Sequence, residues 1–311
     1  MEKLTAENLK GNWATLLLPI KSSNDIDYSL LSDEVDYMIA AGVDGIYSNG
    51  TAGEFHNQTE NEFDKINHLL SEKCIKASVR FQIGAGHPSP ILSLERVKRS
   101  ASLHPDAFQV ILPDWVVPTA AEQVDFLEQI AIAADTVPIV LYNPPHAKLE
   151  LTPIQYLNFK HTIPQLIGVK VLSKDINWVN DIKKYAAHLS VFVPGHLLAS
   201  GVNDKVASGS YSNVACINPA AAQKWWELMH TDMTEALRIQ KHILQFFKEC
   251  ILPYQQLEYS NPALDKFLAS VGGWLPMGTR LRWPYKWIPE DEVALAKKKA
   301  QHLIPEFFQK L

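Results

Sequence analysis

Eight short runs of apolar and β-branched residues alternate with longer amphipathic stretches up to about residue 220, and this alternation restricts the fold more than any other feature. Each run and the stretch after it have the length of one strand and one helix. Eight such units predict a (β/α)8 barrel. A doubly wound open sheet alternates in the same way, but no glycine-rich dinucleotide-binding turn follows the first run. The predicted strands are 13–18, 45–48, 80–84, 107–112, 138–142, 166–170, 191–194 and 210–213.

The rest of the pattern is helical. Helices are predicted between the strands at 28–41, 60–77, 91–103, 120–134 and 177–187. After about residue 220 only helical segments remain, at 219–229, 233–252, 263–272 and 290–309. No linker of low complexity precedes them. We therefore predict a barrel domain over residues 1–222 and a C-terminal α-helical extension over residues 223–311, packed on the barrel.

The composition excludes several classes of protein. A formal net charge of −5 over 311 residues disfavours binding to nucleic acid or to an anionic membrane. No apolar run approaches the roughly 20 residues that span a bilayer, and residues 1–8 lack the apolar segment of a signal peptide. The three cysteines, Cys74, Cys216 and Cys250, are far apart, so no disulfide framework is expected. We expect a cytoplasmic protein without nucleic-acid or membrane partners.

A lysine in the sixth predicted strand is the first candidate for chemistry. If Ile167, Val169 and Val171 face the helices, alternation turns Gly168 and Lys170 toward the barrel lumen. Burial favours the neutral amine and lowers its pKa from about 10.4. A neutral amine attacks a carbonyl carbon and forms an imine. The alternative is an edge strand with Lys170 in solvent, but the carboxyl ends of barrel strands carry active sites.

The fifth predicted strand ends in Tyr142-Asn143-Pro144-Pro145. Tyr142 has the parity of Val140, so it points inward at the upper end of the strand. A buried phenol there either relays a proton or is a core side chain bonded to a main-chain carbonyl. The position does not separate these two roles.

The second predicted strand ends in Gly50-Thr51-Ala52-Gly53-Glu54. Small residues leave main-chain N–H groups accessible, so this turn is a candidate cradle for a carboxylate. An ordinary turn is the alternative. Elsewhere, no His, Cys or acidic residues have the spacing of a metal site, and the Walker pattern is absent. We therefore predict neither a metal nor a nucleotide cofactor.

Taken together, Gly50-Thr51-Ala52-Gly53-Glu54, Tyr142-Asn143-x-Pro145 and Gly168-Val169-Lys170 resemble the dihydrodipicolinate synthase and N-acetylneuraminate lyase family in order and spacing. Ser210-Tyr211-Ser212-Asn213 and Arg282-Trp283-Pro284 resemble that family's eighth strand and C-terminal motif. The resemblance covers nearly the whole chain. It implies a (β/α)8 barrel with a helical tail, and a class I aldolase or related lyase that binds pyruvate or a larger 2-oxo acid as a Schiff base.

The resemblance also implies roles for single residues. Lys170 resembles the imine-forming lysine, so no cofactor is needed, and Tyr142 resembles the tyrosine that relays protons beside it. Thr51 resembles the hydroxyl that binds the carboxylate or joins the relay, with the main chain of Gly50 to Ala52 around it. Tyr211 occupies the position that faces the bound pyruvyl group.

The chain differs from the family pattern at three places that concern recognition of the second half of the substrate. Ala52 replaces the second hydroxyl residue of the turn. Pro113-Asp114-Trp115 stands where synthases of the family carry a tyrosine pair. A position close to Ala147 replaces their arginine, and the neighbouring Lys148 offers charge without the bidentate fork. We therefore do not expect a standard dihydrodipicolinate synthase. Candidates to contact the other half of the substrate are Asp114, Trp115, His146, Lys148 and His196.

These features favour a lyase that cleaves or forms a C3–C4 bond between pyruvate and an aldehyde. A dehydratase acting on a 3-deoxy-2-oxo sugar acid would need the same lysine and tyrosine, so it stays open. A protein that binds a 2-oxo acid without catalysis is the alternative of another class. The resemblance also implies a homo-oligomer, a dimer or tetramer, with Trp115 as a candidate contact residue.

Overall fold

The computed structural model describes residues 1–172 and 174–309. Eight strands carry the barrel, and each is short, with three to five residues. They are β1 (Gly11–Thr15), β2 (Gly45–Ser48), β3 (Phe81–Gly84), β4 (Ala107–Val110), β5 (Ile139–Tyr142), β6 (Leu166–Lys170), β7 (Ser190–Phe192) and β8 (Gly209–Ser212).

Helices follow the strands and continue after the last one. They are α1 (Tyr28–Ala40), α2 (Glu60–Ala77), α3 (Pro90–Ser100), α4 (Ala120–Ala134), α5 (Ile176–Tyr185), α6 (Leu198–Asn203), α7 (Asn213–Ile217), α8 (Pro219–Thr231), α9 (Met233–Cys250), α10 (Leu252–Gln256), α11 (Asn261–Gly272) and α12 (Asp291–Leu303). Between β5 and β6 the connection is a 3₁₀ helix, Pro153–Phe159. None of the helices in the described part of the chain is long and apolar enough to cross a membrane.

Every strand pairs in parallel with its sequence neighbour, and β1 also pairs with β8. The sheet is therefore closed, which confirms the predicted (β/α)8 barrel and excludes the open doubly wound sheet. The helices that follow β8 form the expected C-terminal α-helical extension. The division at residue 222 stays a prediction.

Several predicted boundaries differ from those observed. The predicted strands 13–18 and 107–112 extend beyond the ends of the observed strands β1 and β4. Leu16, Leu17 and Leu18 are buried although they follow the end of β1. The predicted helix 290–309 ends at Leu303, two residues before Pro305, since a proline cannot continue the hydrogen-bonded ladder. Apolar residues in the sequence indicate burial, and buried segments extend beyond the ends of the strands and helices.

The inner core fills the barrel lumen and is strongly aromatic. Tyr211 packs at its centre, with ring centroids 4.6 Å from Phe192, 4.7 Å from Tyr47 and 6.1 Å from Trp13. Val169 and Val171 belong to the outer core, as alternation predicts, whereas Ile167 packs with the inner cluster. The prediction for Ile167 was wrong because the β5–β6 register shifts between Ile139 and Val140.

A buried ion pair joins the helical extension to the barrel. Lys266 on α11 donates to Glu54 in the loop after β2, with Nζ 2.8 Å from Oε1, and both side chains are inaccessible to solvent. Nζ also donates to the main-chain oxygen of Arg280, and Glu54 Oε2 accepts from the main-chain N–H of Arg282. Burial lowers the pKa of Lys266, so its charge depends on these partners.

Replacing one member of this pair should destabilise the protein strongly. We expect Glu54→Gln to lower the free energy of unfolding by about 3 kcal/mol, because the Lys266 ammonium loses its buried counter-charge. Urea unfolding followed by circular dichroism measures this change. Glu235→Gln removes an exposed pair with Arg238 and should change stability little.

The double variant Glu54→Gln/Lys266→Met separates charge from packing. It should be more stable than Glu54→Gln alone, since it leaves no unpaired buried charge. Wild-type stability of the single variant would contradict the role given to the ion pair.

Candidate active site

Lys170 is the last residue of β6, and its side chain enters the lumen at the carboxyl end of the barrel. Its Cα pairs with that of Tyr142 on β5 and that of Phe192 on β7. Nζ donates to the hydroxyl oxygen of Tyr47, 3.2 Å away. The alternative of an exposed edge strand is excluded, because β6 is paired on both sides. Lys170 is therefore presented inside the barrel from a fixed backbone.

Three aromatic rings surround this amine. Nζ lies 4.3 Å from the ring centroid of Tyr142, 5.0 Å from that of Tyr47 and 5.4 Å from that of Tyr211. Burial lowers the pKa of Lys170 to about 8, although the charge of Asp265 opposes the shift. A larger fraction of neutral amine is thus present near pH 7 than for a solvent-exposed lysine.

The loop after β2 shapes one side of this site. A Cβ on Gly50 would lie 2.5 Å from Cε2 of Tyr47, so glycine is what allows the Tyr47 ring to reach Lys170. Thr51 Oγ1 donates to the hydroxyl of Tyr142, at 3.4 Å. Burial raises the pKa of Tyr142. Thr51 and Tyr142 therefore form a hydroxyl pair beside the amine.

Lys170 opens into a cavity of about 490 Å³. The cavity brings together six further residues that the sequence singled out, which are Thr51, Ala52, Tyr142, His146, His196 and Tyr211. Gly50 contacts Tyr47 instead of lining the cavity. Tyr211 Oη donates to Gln82 below the lysine, so its ring and not its hydroxyl faces Nζ.

Two residues of this site were missed by the sequence analysis. Tyr47 lies on β2, where strand alternation would have marked it as inward-facing. Asp265 lies on α11 and lines the Lys170 cavity. Burial raises the pKa of Asp265 to about 7, and the charge of Lys170 opposes this rise. An acidic residue between Leu264 and Phe267 in a predicted helix was the available signal, but nothing in the sequence linked that helix to β6.

His196 forms part of the same wall. Its ring stacks on Phe247 with centroids 4.9 Å apart, and its Nδ1 lies 2.9 Å from Nδ2 of Asn213. Burial lowers the pKa of His196. The imidazole therefore presents a neutral surface to the cavity near pH 7.

The remaining candidates lie on the far side of Tyr142. Asp114 and Trp115 line a second cavity of about 520 Å³, and His146 borders both cavities. The main-chain N–H of Lys148 donates to Asp114, and its Nζ donates to the main-chain oxygen of Trp115 at 2.9 Å and lies over the Trp115 ring. Lys148 is thus engaged by the 113–115 loop and lines neither cavity.

Within residues 1–172 and 174–309, no group of three or more His, Cys, Asp or Glu side chains has the arrangement of a metal site. The cavity instead combines a buried amine, a hydroxyl pair and one buried carboxyl. This set of groups suits nucleophilic addition to a carbonyl followed by proton transfer.

The pH dependence of the Lys170 amine can be measured directly. Its reaction with a neutral arylating reagent, followed by peptide mass, should be half-maximal near pH 8. A solvent-exposed lysine reaches this point near pH ~10.4. Asp265→Asn should move the midpoint lower, because the Asp265 carboxylate favours the charged amine. A Lys170 midpoint at the value of an exposed lysine would contradict the buried environment.

The chain is similar to known lyases and synthases. It is 29% identical over 177 residues to the 4-hydroxy-tetrahydrodipicolinate synthase of Phocaeicola vulgatus, covering 57% of this chain and 59% of that protein. It is 26% identical over 204 residues to the N-acetylneuraminate lyase of Escherichia fergusonii, covering 66% of each. The matched segments thus span less than two thirds of these curated relatives.

Solved structures share the fold over almost the full length. A sialic acid aldolase catalytic lysine mutant from Ruminococcus gnavus superposes with a TM-score of 0.84 at 20% identity, covering 100% of both chains. A prophage protein of the dihydrodipicolinic acid synthase family from Escherichia coli K12, in complex with pyruvate, gives a TM-score of 0.82 at 20% identity, covering 95% of this chain and 99% of that one.

A family model decides the assignment. The model of the dihydrodipicolinate synthetase family matches residues 8–302, which include the barrel and most of the helical extension. The chain belongs to the dihydrodipicolinate synthetase family.

Proposed function

We propose that this protein is a class I lyase in which Lys170 forms an imine with pyruvate or a larger 2-oxo acid. The observation that carries the proposal is the Lys170 amine itself, buried among three tyrosine rings at the carboxyl end of the barrel. Two solved relatives support it, since one structure is a complex with pyruvate and another is a catalytic lysine mutant.

The first step is addition of the neutral amine to the C2 carbonyl. Nζ donates its electron pair to C2, the carbonyl oxygen takes a proton, and a carbinolamine forms. Loss of the C2 hydroxyl as water then needs a second proton. We assign this proton to Tyr142, and two contacts support the assignment: its ring lies beside the Lys170 amine, and its hydroxyl is bonded to Thr51. Thr51 completes a short relay that returns protons to Tyr142.

The turn after β2 is proposed to hold the substrate carboxylate. Among the described residues, the main-chain N–H groups of Thr51 and Ala52 have no hydrogen-bond acceptor in the protein. Both residues line the Lys170 cavity. Two main-chain donors of one turn are therefore free to bind an anion at the cavity, and Ala52 adds no side-chain donor.

The protonated imine then serves as an electron sink. When the C3–C4 bond breaks, a base takes the proton of the C4 hydroxyl and the O–H electron pair forms the aldehyde carbonyl. The C3–C4 electron pair moves into the C2–C3 bond, and the imine π electrons move to nitrogen. Pyruvate is left as an enamine on Lys170, and an aldehyde departs. The reverse sequence condenses pyruvate with an aldehyde.

The second half of the substrate differs from that of a standard dihydrodipicolinate synthase in this proposal. Residues 146–148, close to the position where the resemblance implies an arginine, contain none, and the Lys148 ammonium is held by the Trp115 main chain. A bidentate grip on a second carboxylate is therefore lacking at this position. His146, between the two cavities, remains a candidate contact for that half of the substrate.

Borohydride reduction in the presence of pyruvate tests the imine. We expect a pyruvyl adduct on Lys170 by intact mass and peptide mapping, and none in Lys170→Ala. Tyr142→Phe should slow adduct formation by about 10²- to 10⁴-fold, since it removes one proton-transfer group. Tyr185→Phe changes a tyrosine at the end of α5, outside the cavity, and should react as wild type.

Absence of an adduct with pyruvate and with longer 2-oxo acids would overturn the lyase proposal. An adduct without turnover of any 2-oxo acid would favour the non-catalytic binding protein. Release of water instead of an aldehyde would favour the dehydratase.

We also propose that the chain forms a homo-oligomer through the segment around Trp115. Trp115, Val116 and Val117 are 81%, 76% and 47% exposed, which leaves three adjacent apolar side chains in water. Light scattering coupled to gel filtration should give a mass of at least a dimer, and Trp115→Glu should reduce it. Ile91→Glu, an exposed position on α3, should not. A monomeric wild type would contradict this proposal.

A further inference from the structure

Asp265 is a half-buried acidic side chain on the wall of the Lys170 cavity. Within residues 1–172 and 174–309 its carboxyl makes no hydrogen bond and no ion pair, yet it lines the cavity that holds Lys170. An unpaired buried carboxylate costs stability. The next residue, Lys266, is fixed by its ion pair with Glu54, so α11 holds Asp265 in a defined place. Asp265 is therefore held in the cavity wall, and the charge of Lys170 offsets part of the cost of its burial.

The surface around Asp265 is largely apolar. Of the charged residues that line this cavity, Lys170 lies at its base and Lys248 is exposed at its rim. The wall formed by α9, α10, α11 and the residue that joins α9 to α10 contributes six apolar side chains, Leu244, Phe247, Ile251, Leu252, Leu264 and Leu268, and two uncharged polar ones, Gln255 and Asn261. A polar group of the substrate on this side would therefore meet the Asp265 carboxyl within an apolar wall.

We propose that Asp265 is the catalytic acid–base for the half of the substrate that leaves as an aldehyde, and that this half is otherwise uncharged and apolar. The inference rests on the proposed imine chemistry at Lys170. During cleavage the Asp265 carboxylate takes the proton of the C4 hydroxyl, and the oxygen electron pair forms the carbonyl bond of the aldehyde. The C3–C4 bond electrons pass to the imine as described above. In condensation the protonated acid returns this proton to the aldehyde oxygen.

Asp265 suits this role better than Tyr142. Burial raises the pKa of the Tyr142 phenol above its ordinary value near 10, so its phenolate is scarce near neutral pH. The pKa of Asp265 is raised only to about 7, so both of its protonation states are populated there. The protonated imine carries a lasting positive charge, which favours the Asp265 carboxylate in the step that needs a base.

The negative charge of Asp265 also restricts the class of substrate. A second carboxylate in the aldehyde half would lie beside Asp265 in a buried cavity and be repelled. A polyhydroxyl chain would meet the Gln255 and Asn261 amides on this wall and would leave its other hydroxyls unpaired against the leucine side chains. The structure therefore favours 4-hydroxy-2-oxo acids with an aliphatic or aromatic group on C4.

Two reactions of the full-length protein separate this inference from the imine proposal. Exchange of the pyruvate methyl protons in D₂O, followed by NMR, requires imine and enamine formation but no aldehyde. Condensation of pyruvate with an added aldehyde, followed by mass spectrometry, requires the further proton transfer. The aldehyde probes are butanal and benzaldehyde as apolar compounds, glyceraldehyde as a polyol, and succinic semialdehyde as an acid.

We expect wild type to condense the two apolar aldehydes faster than the other two. Asp265→Asn should lower kcat for condensation by about 10²-fold or more. Methyl proton exchange should not fall, because loss of the carboxylate lowers the pKa of Lys170. Asp125→Asn, an exposed change on α4, should behave as wild type in both reactions. Thermal unfolding of Asp265→Asn should occur at or above the wild-type temperature, since a buried ionisable group is removed.

Condensation by Asp265→Asn at the wild-type rate, with exchange intact, would overturn the role of Asp265. Exchange by wild type together with preference for glyceraldehyde or succinic semialdehyde would overturn the apolar class. Absence of exchange in wild type would instead overturn the imine proposal, and this inference with it.

Discussion

The buried ion pair between Lys266 and Glu54 is the contact on which the site depends. Glu54 lies three residues after Thr51, and Lys266 follows Asp265 directly. One ion pair therefore joins the loop that carries Thr51 to the helix that carries Asp265. Glu54 also accepts from the main chain of Arg282, and the Arg282 guanidinium bonds Glu62 on α2. The Gly-Thr-x-Gly-Glu turn and the Arg-Trp-Pro segment thus meet at a single buried carboxylate.

The chemistry of the cavity follows from two charges that burial disfavours. Burial lowers the pKa of Lys170 to about 8 and raises that of Asp265 to about 7, and each charge partly sustains the other. The faces of the aromatic rings around Nζ attract a cation. In the proposed reaction, the protonated imine would keep the positive charge of the ammonium on the same nitrogen atom. The environment that tolerates the free ammonium would therefore also tolerate the proposed intermediate.

Local sequence patterns predicted the part of the site that lies on strands. Alternation placed Lys170 and Tyr142 inside the barrel, and small residues marked the turn that presents Thr51. These local patterns do not predict which residues far apart in the sequence pack together. Asp265 enters the cavity from a helix almost one hundred residues later, and only packing of α11 on the barrel brings it there. Lys148 was predicted to contact substrate because of its charge, but its ammonium is bound by a neighbouring loop. Strand ends were also misplaced where apolar residues continue into buried loops.

The position of a pyruvate bound to Lys170 tests the proposed active site. A crystal structure of the protein after borohydride reduction with pyruvate measures this most directly. We expect continuous electron density from Lys170 Nζ to C2, the carboxylate against the main-chain N–H groups of Thr51 and Ala52, and C3 directed toward the α11 wall and Asp265. Density attached to another lysine, or C3 directed toward Trp115 and the second cavity, would contradict the central claim that Lys170 and the helical extension together form the active site.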